Sequence, residues 1–128
     1  MQKKVVSTKG APAAIGPYSQ GVNAGPGAML FISGQLPADP ESGILVQGGI
    51  GPMTRRCLEN IKAILEASGM GLANVVKITV FLTSMEDFAE MNQVYGEYFP
   101  QEPPARSTIA VAALPKGSLI EIEAVAVL

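Results

Sequence analysis

Two periods of apolar residues alternate along this chain, one helical and one extended. From Gly51 to Ser68, Met53, Cys57, Leu58, Ile61, Ile64 and Leu65 recur at three- and four-residue spacing, the stripe that an amphipathic helix buries. Pro52 suits the first turn, where a missing N–H costs little, and Gly69 suits the C-terminal cap. A second helix is expected after Ser84, with Asp87 completing a capping box. It presents Phe88, Met91, Tyr95, Tyr98 and Phe99 on its apolar side before Pro100 stops it.

Six segments favour strands: Lys3–Ser7, Tyr18–Asn23, Ala28–Ser33, Val75–Thr83, Arg106–Ala113 and Leu119–Val127. Gly25-Pro26-Gly27 reads as a turn, Pro37–Gly43 as a loop, and Leu114–Ser118 as the bend of a closing antiparallel hairpin. The order β-β-β-α-β-α-β-β predicts a single α/β (α+β) domain over residues 1–128, one mixed sheet with two helices on one face. The helix between the fourth and fifth strands predicts a parallel pair with a right-handed crossover. The uncovered face would carry Val111, Val125 and Val127 beside Lys77, Thr79, Glu121 and Glu123. A half-apolar open face predicts packing against other copies of the chain.

Composition narrows the chemistry. Hydrophobic residues make up 48% and charged residues 16%, against a usual quarter or so, which again favours an oligomer. A net charge of −2 leaves no broad footprint for nucleic acid. MQKKVVSTKG has no apolar run behind its lysines, and no segment approaches a membrane span, so a soluble, cytoplasmic protein is expected. The chain has no histidine and one cysteine. That excludes Ser-His and Cys-His dyads and an intrachain disulfide, and disfavours a metal site. Cys57 lies on the helical stripe and reads as core; Arg55 and Arg56 read as its solvated flank, with Lys62 placed to pair with Glu66.

What remains concentrates in PARSTIAVAALPKGSLIEIEAVAVL, Pro104 to Leu128. Arg106 opens an apolar run, where a guanidinium that cannot lose its charge must find an anion, for which its fork suits a carboxylate. Glu121 is the natural intrachain candidate. A hairpin centred near Lys116 opposes Glu121 to Val111, however, and leaves Arg106 about 16 Å away. The two groups are therefore not expected to meet within one chain, which leaves an interface between chains as the place where they can. Glu121 and Glu123 share a strand face with Val125 and Val127, so partial burial should raise a carboxyl pKa there. Tyr18, and the strand end Ser33-Gly34-Gln35, carry weaker signals: a packed aromatic, and a glycine that admits a tight turn or a ligand.

AIGPYSQGV, FISGQLP, VVKITVFL after a helix, and the terminal Pro-Ala-Arg-Ser, Leu-Pro and Ile-Glu-Ile-Glu-Ala pattern together resemble the RidA (YjgF) family, nearly end to end. The resemblance implies a chorismate-mutase-like fold and a homotrimer with a central barrel and clefts between subunits. It implies hydrolytic deamination of 2-aminoacrylate, 2-iminopropanoate and 2-iminobutanoate to 2-oxo acids and ammonia, with no cofactor. By motif, Arg106 would clamp the substrate carboxylate, Glu121 would activate water, and Tyr18 would border the cleft. Ser33 and Gly34 would line it, with Asn92 and Thr108 nearby. Many relatives have cysteine at the Thr108 position, which removes thiol chemistry here but spares deamination. Three competing functions share parts of this reading: a noncatalytic binder of 2-oxo acids, an endoribonuclease or translation inhibitor, and a chorismate mutase. The acidic balance offers the nucleic-acid reading little support, and the terminal motif argues against the mutase.

Overall fold

The structure is a computed structural model that describes residues 3–15, 18–24 and 27–128. Gly16-Pro17 and the Gly25-Pro26 part of the expected turn lie outside the described residues. The elements follow the expected order: β1 (Lys3–Val6), β2 (Gly21–Ala24), β3 (Met29–Gln35), α1 (Ile50–Ala67), β4 (Val75–Leu82), α2 (Phe88–Tyr98), β5 (Ala105–Ala110) and β6 (Ile120–Val127).

Both helices end where local chemistry dictates. After α1, Gly69 takes φ 74° and its N–H reaches the Glu66 carbonyl, while the Met70 N–H reaches that of Leu65. This is the double-bonded Schellman closure, which a residue without Cβ adopts at least cost. Ser84 caps the start of the second helical stretch, but its hydroxyl accepts from the Glu86 N–H rather than closing a box with Asp87. A tighter 3-10 turn, Met85–Asp87, leads into α2 and takes up the difference.

The six strands form one sheet in the order β1-β2-β3-β6-β4-β5. Only β4 and β5 run parallel, as the connecting helix predicts; the other neighbours are antiparallel. The predicted β5–β6 hairpin does not form. β6 inserts between β3 and β4, and β5 becomes the outer edge. The reason lies in burial. Ile120, Ile122, Ala124 and Ala126 are all at most 3% exposed, a face that needs neighbours on both sides. β5 has no buried residue and offers none. Val111 continues the parallel pairing through its N–H to the Leu82 carbonyl, and the chain then turns at Pro115–Gly117 across the end of β4. Glu121 therefore opposes Phe81, not Val111.

The core fills the space between this sheet and the helices, with Leu58, Ile61, Ile64 and Leu65 of α1 and Met91 of α2 fully buried against Leu30, Ile78, Val80, Leu82 and Ile122. Cys57 is part of it, fully buried as expected. Arg55 pairs instead with Glu97 at 3.2 Å, the one ion pair among the described residues, so the anticipated Lys62–Glu66 pair is not made. No helix is long and apolar enough to cross a membrane. The other sheet face is left open, with Val5, Met29, Phe31 and Ile109 all more than a third exposed. Truncating β6 should expose the sheet's dependence on its central strand. Ile122→Ala is expected to lose about 3 kcal/mol in urea unfolding, whereas Met85→Ala, on an exposed turn, should lose less than about 1 kcal/mol.

Candidate functional site

Two groups of polar residues stand out, on opposite faces of the sheet. The first gathers at a cavity of about 760 Å³ lined by Tyr18, Ser33, Gly34, Glu121, Glu123 and Lys116, with apolar walls from Pro12, Ile15, Leu36 and Pro40. Alternation along β6 sends Ile120 and Ile122 to the core and Glu121 to the open face. There its carboxylate lies against Gly34: a Cβ on residue 34 would stand 2.8 Å from the Glu121 Cδ. Glycine at the end of β3 is thus the space in which the acid sits. Burial raises the Glu121 carboxyl above its usual range, and the neighbouring Glu123 charge adds to this.

The cavity walls are held by specific bonds. The Ser33 hydroxyl donates to the Ser19 carbonyl at 2.6 Å, and Ser33 N–H to that of Gln20 at 3.1 Å. The buried Gln20 amide accepts from the Thr8 N–H at 2.7 Å and donates to the Pro12 carbonyl at 2.7 Å. These bonds fasten the chain before β2 along β3. Lys116, at φ 59°, donates to the Gly43 carbonyl at 3.2 Å, tying the turn before β6 to the 37–46 loop. Among the described residues Glu41, Glu121 and Glu123 face a single Lys116, so the cavity wall is acidic and offers a carboxylate ligand no arginine.

The second group surrounds Arg106. In the β4–β5 register Arg106 pairs with the fully buried Ile78, so it projects toward the helices. Its Nη1 donates to the Asn92 Oδ1 at 2.8 Å, and its guanidinium carbon lies 4.6 Å from the Tyr95 ring centre and 5.7 Å from that of Phe88. No acid partners it among the described residues. Thr108, two residues on, also faces the helices, with its hydroxyl buried and unbonded.

Of the expected site residues, Tyr18, Ser33, Gly34 and Glu121 therefore come together, and so do Arg106, Asn92 and Thr108. The two sets do not meet. Register places Arg106 level with Ala124, two strands and three residues from Glu121, on the order of 14 Å away and on the other face. The expected intrachain separation holds, although its cause is strand order rather than hairpin geometry. Sequence reading missed the part played by Lys116 and the 37–46 loop, whose approach depends on tertiary folding. It also placed Phe88 and Tyr95 only in the core; their spacing from Asn92, at positions 88, 92 and 95, puts all three on one side of α2. No cluster of three or more potential metal ligands occurs among the described residues.

The fold and these two polar groups define a small α/β domain with a polar-lined cavity at the sheet rim. Residues 8–128 match the family profile described as Endoribonuclease L-PSP, and the chain belongs to that family, the RidA (YjgF) proteins. It is 56% identical to a RutC family protein from Pyrococcus horikoshii, covering 97% of both chains. It is 51% identical to the 2-iminobutanoate/2-iminopropanoate deaminase of Bos taurus, over 98% of this chain and 90% of the relative. A crystal structure of a candidate endoribonuclease from Thermotoga maritima superposes with a TM-score of 0.95 at 57% identity, covering 99% of this chain and 98% of that one.

The raised Glu121 carboxyl has a stability signature. The folded state binds its proton more tightly than the unfolded state, whose carboxyl titrates near about 4.3. Its contribution is thus full below that value and is lost as pH rises through the folded value. Glu121→Gln, which cannot ionise, should be at least as stable as wild type at pH 7 and should flatten the fall in Tm above about pH 4.3. Tm profiles of the two proteins running parallel from pH 4 to 8 would contradict this environment for the acid.

Proposed function

We propose that the protein hydrolyses small 2-imino acids and their enamine tautomers to 2-oxo acids and ammonia, at clefts completed by two copies of the chain. The single observation that carries this reading is complementarity. Among the described residues, one face of the sheet presents a cationic fork without an acid, and the other presents a protonatable acid in a cavity without an arginine. Setting the β5 edge of one copy beside the open face of a second would bring Arg106 of the first to the Glu121 cavity of its neighbour. A cyclic trimer closes such a heterologous contact.

In that cleft Arg106 binds the substrate carboxylate through two parallel hydrogen bonds and so fixes C2. A water held by Glu121 attacks C2; the new C–O bond forms as the C=N π pair moves to nitrogen, and the water's proton passes to Glu121. Glu121 then returns the proton to nitrogen. Glu121 next relays the hydroxyl proton to nitrogen as the C–N bond breaks, so ammonia leaves and the hydroxyl oxygen becomes the 2-oxo group. Burial and the Glu123 charge raise this carboxyl, which makes it a better proton acceptor for the first transfer. Imine carbon is already electrophilic, so orientation and a proton relay suffice.

The deaminase name of the bovine relative supports the activity, while the Pyrococcus horikoshii relative carries only a family name. The family's endoribonuclease description fits this cavity poorly: three glutamates and one lysine at its wall would repel a phosphodiester.

The test is ketoacid release from 2-aminoacrylate generated by a serine dehydratase. Wild type should accelerate it, and Arg106→Ala should reduce kcat/KM on the order of 10²–10³-fold. Equal mixtures of Arg106→Ala and Glu121→Ala subunits, refolded together, should regain about a quarter of wild-type activity, the statistical share of clefts that receive both intact groups. No acceleration by wild type rejects the deaminase, and no recovery in the mixtures rejects the shared cleft.

A further inference from the structure

We propose that Phe88 and Tyr95 are positioning residues that hold the Arg106 guanidinium in its carboxylate-binding pose without neutralising it. The inference rests on the reading of Arg106 as the anchor of the substrate carboxylate. It adds how an arginine with no acid partner is kept in place.

An arginine on an edge strand has considerable rotamer freedom, which a ligand would have to quench on binding. A neighbouring carboxylate would fix it, but would also occupy the fork and compete with the substrate. Aromatic faces do neither. Their negative quadrupole attracts the cation, and the ring offers no lone pairs to the N–H donors. Here the guanidinium carbon lies 4.6 Å from the Tyr95 centroid and 5.7 Å from that of Phe88, both within cation–π range. Among the described residues the Arg106 guanidinium makes one hydrogen bond, from Nη1 to a neutral amide, Asn92 Oδ1 at 2.8 Å. Of the roughly five N–H donors of a guanidinium, the rest keep their capacity for an anion.

The bracket is itself rigid. Phe88, Asn92 and Tyr95 rise from one side of α2, so their relative positions are fixed by helix geometry. Tyr95 is 6% exposed and is braced by the Phe99 ring, 4.9 Å away at 40°. Its hydroxyl is buried and has no hydrogen-bond partner among the described residues. What Tyr95 offers Arg106 is therefore its ring, and this separates the proposal from a hydrogen-bonding role and from simple space filling. Tyr95→Phe keeps the ring and removes the orphan hydroxyl; Tyr95→Leu keeps apolar volume and removes the ring.

The experiment measures kcat and KM for ketoacid release, and separately the Kd for 2-oxobutanoate by titration calorimetry, in wild type, Tyr95→Phe, Tyr95→Leu, Phe88→Leu and Arg106→Ala. Tyr95→Leu should raise KM and Kd together by roughly 3- to 30-fold, with kcat within about twofold of wild type. Tyr95→Phe should match wild type in both. Unchanged Kd in Tyr95→Leu overturns the bracket, as does an equal loss in Tyr95→Phe. Should Tyr95→Leu fail to fold, the half-buried Phe88 decides: a raised Kd in Phe88→Leu supports the proposal, and an unchanged one overturns it. If wild type binds 2-oxobutanoate yet accelerates nothing, the deaminase reading fails while the Kd series still judges the bracket. Equal affinity in Arg106→Ala and wild type overturns the bracket along with the clamp.

Discussion

Burial of one face of β6 governs the rest of this molecule. Four successive inward residues on that strand are almost wholly removed from water, and only a place between two neighbours supplies enough contact for them. Once β6 lies between β3 and β4, β5 has nowhere to pair except the far side of β4. That displacement sets the positions of both polar groups. Glu121 turns outward from a central strand, beside Gly34 of β3, and Arg106 turns under the helices from an edge strand.

The consequence is a division of labour imposed by strand alternation. On β6 the odd residues face outward, so an acid at 121 is confined to the open face whatever its rotamer. On β5 the residue paired with Ile78 is confined to the helix side. No side-chain motion in one copy brings the two together through an intact sheet. The electrostatics agree with this separation: Glu121 keeps its proton more readily because burial and Glu123 act on it unopposed by a nearby guanidinium. In the proposed assembly, the fork of a second chain would supply the missing cation.

The fold was largely readable in the sequence because its elements obey simple periods. The α1 stripe, its glycine cap and the succession of strands and helices along the chain all follow from local spacing and turn chemistry. The arrangement of strands within the sheet did not. Leu114–Ser118 has the length and composition of a hairpin turn, and only competition for burial between the strands on either side shows that β6 pairs elsewhere. The site was legible to the same depth. Arg106 and Glu121 stand out as charges in apolar strands, and the RidA-like motifs point to Tyr18, Ser33 and Gly34. That Gly34 makes room for the Glu121 carboxylate, or that Lys116 reaches the Gly43 carbonyl, depends on atoms brought together over long stretches of chain. The surroundings of Arg106 are an intermediate case. The helical spacing of Phe88, Asn92 and Tyr95 is visible in the sequence, but which strand residue they meet is not.

The placement of Cys57 has a consequence for how the cavity would fare under oxidative stress. The chain's one thiol is sealed in the core, where burial pushes its pKa well above the ordinary thiol value. Thiolate, the form that peroxides and electrophiles attack, is thereby suppressed. Thr108, near Arg106, carries a hydroxyl, which does not enter thiol redox chemistry. Neither the sheet rim nor the arginine edge presents sulfenylation chemistry from cysteine, so shifts in cellular redox poise should pass the site by.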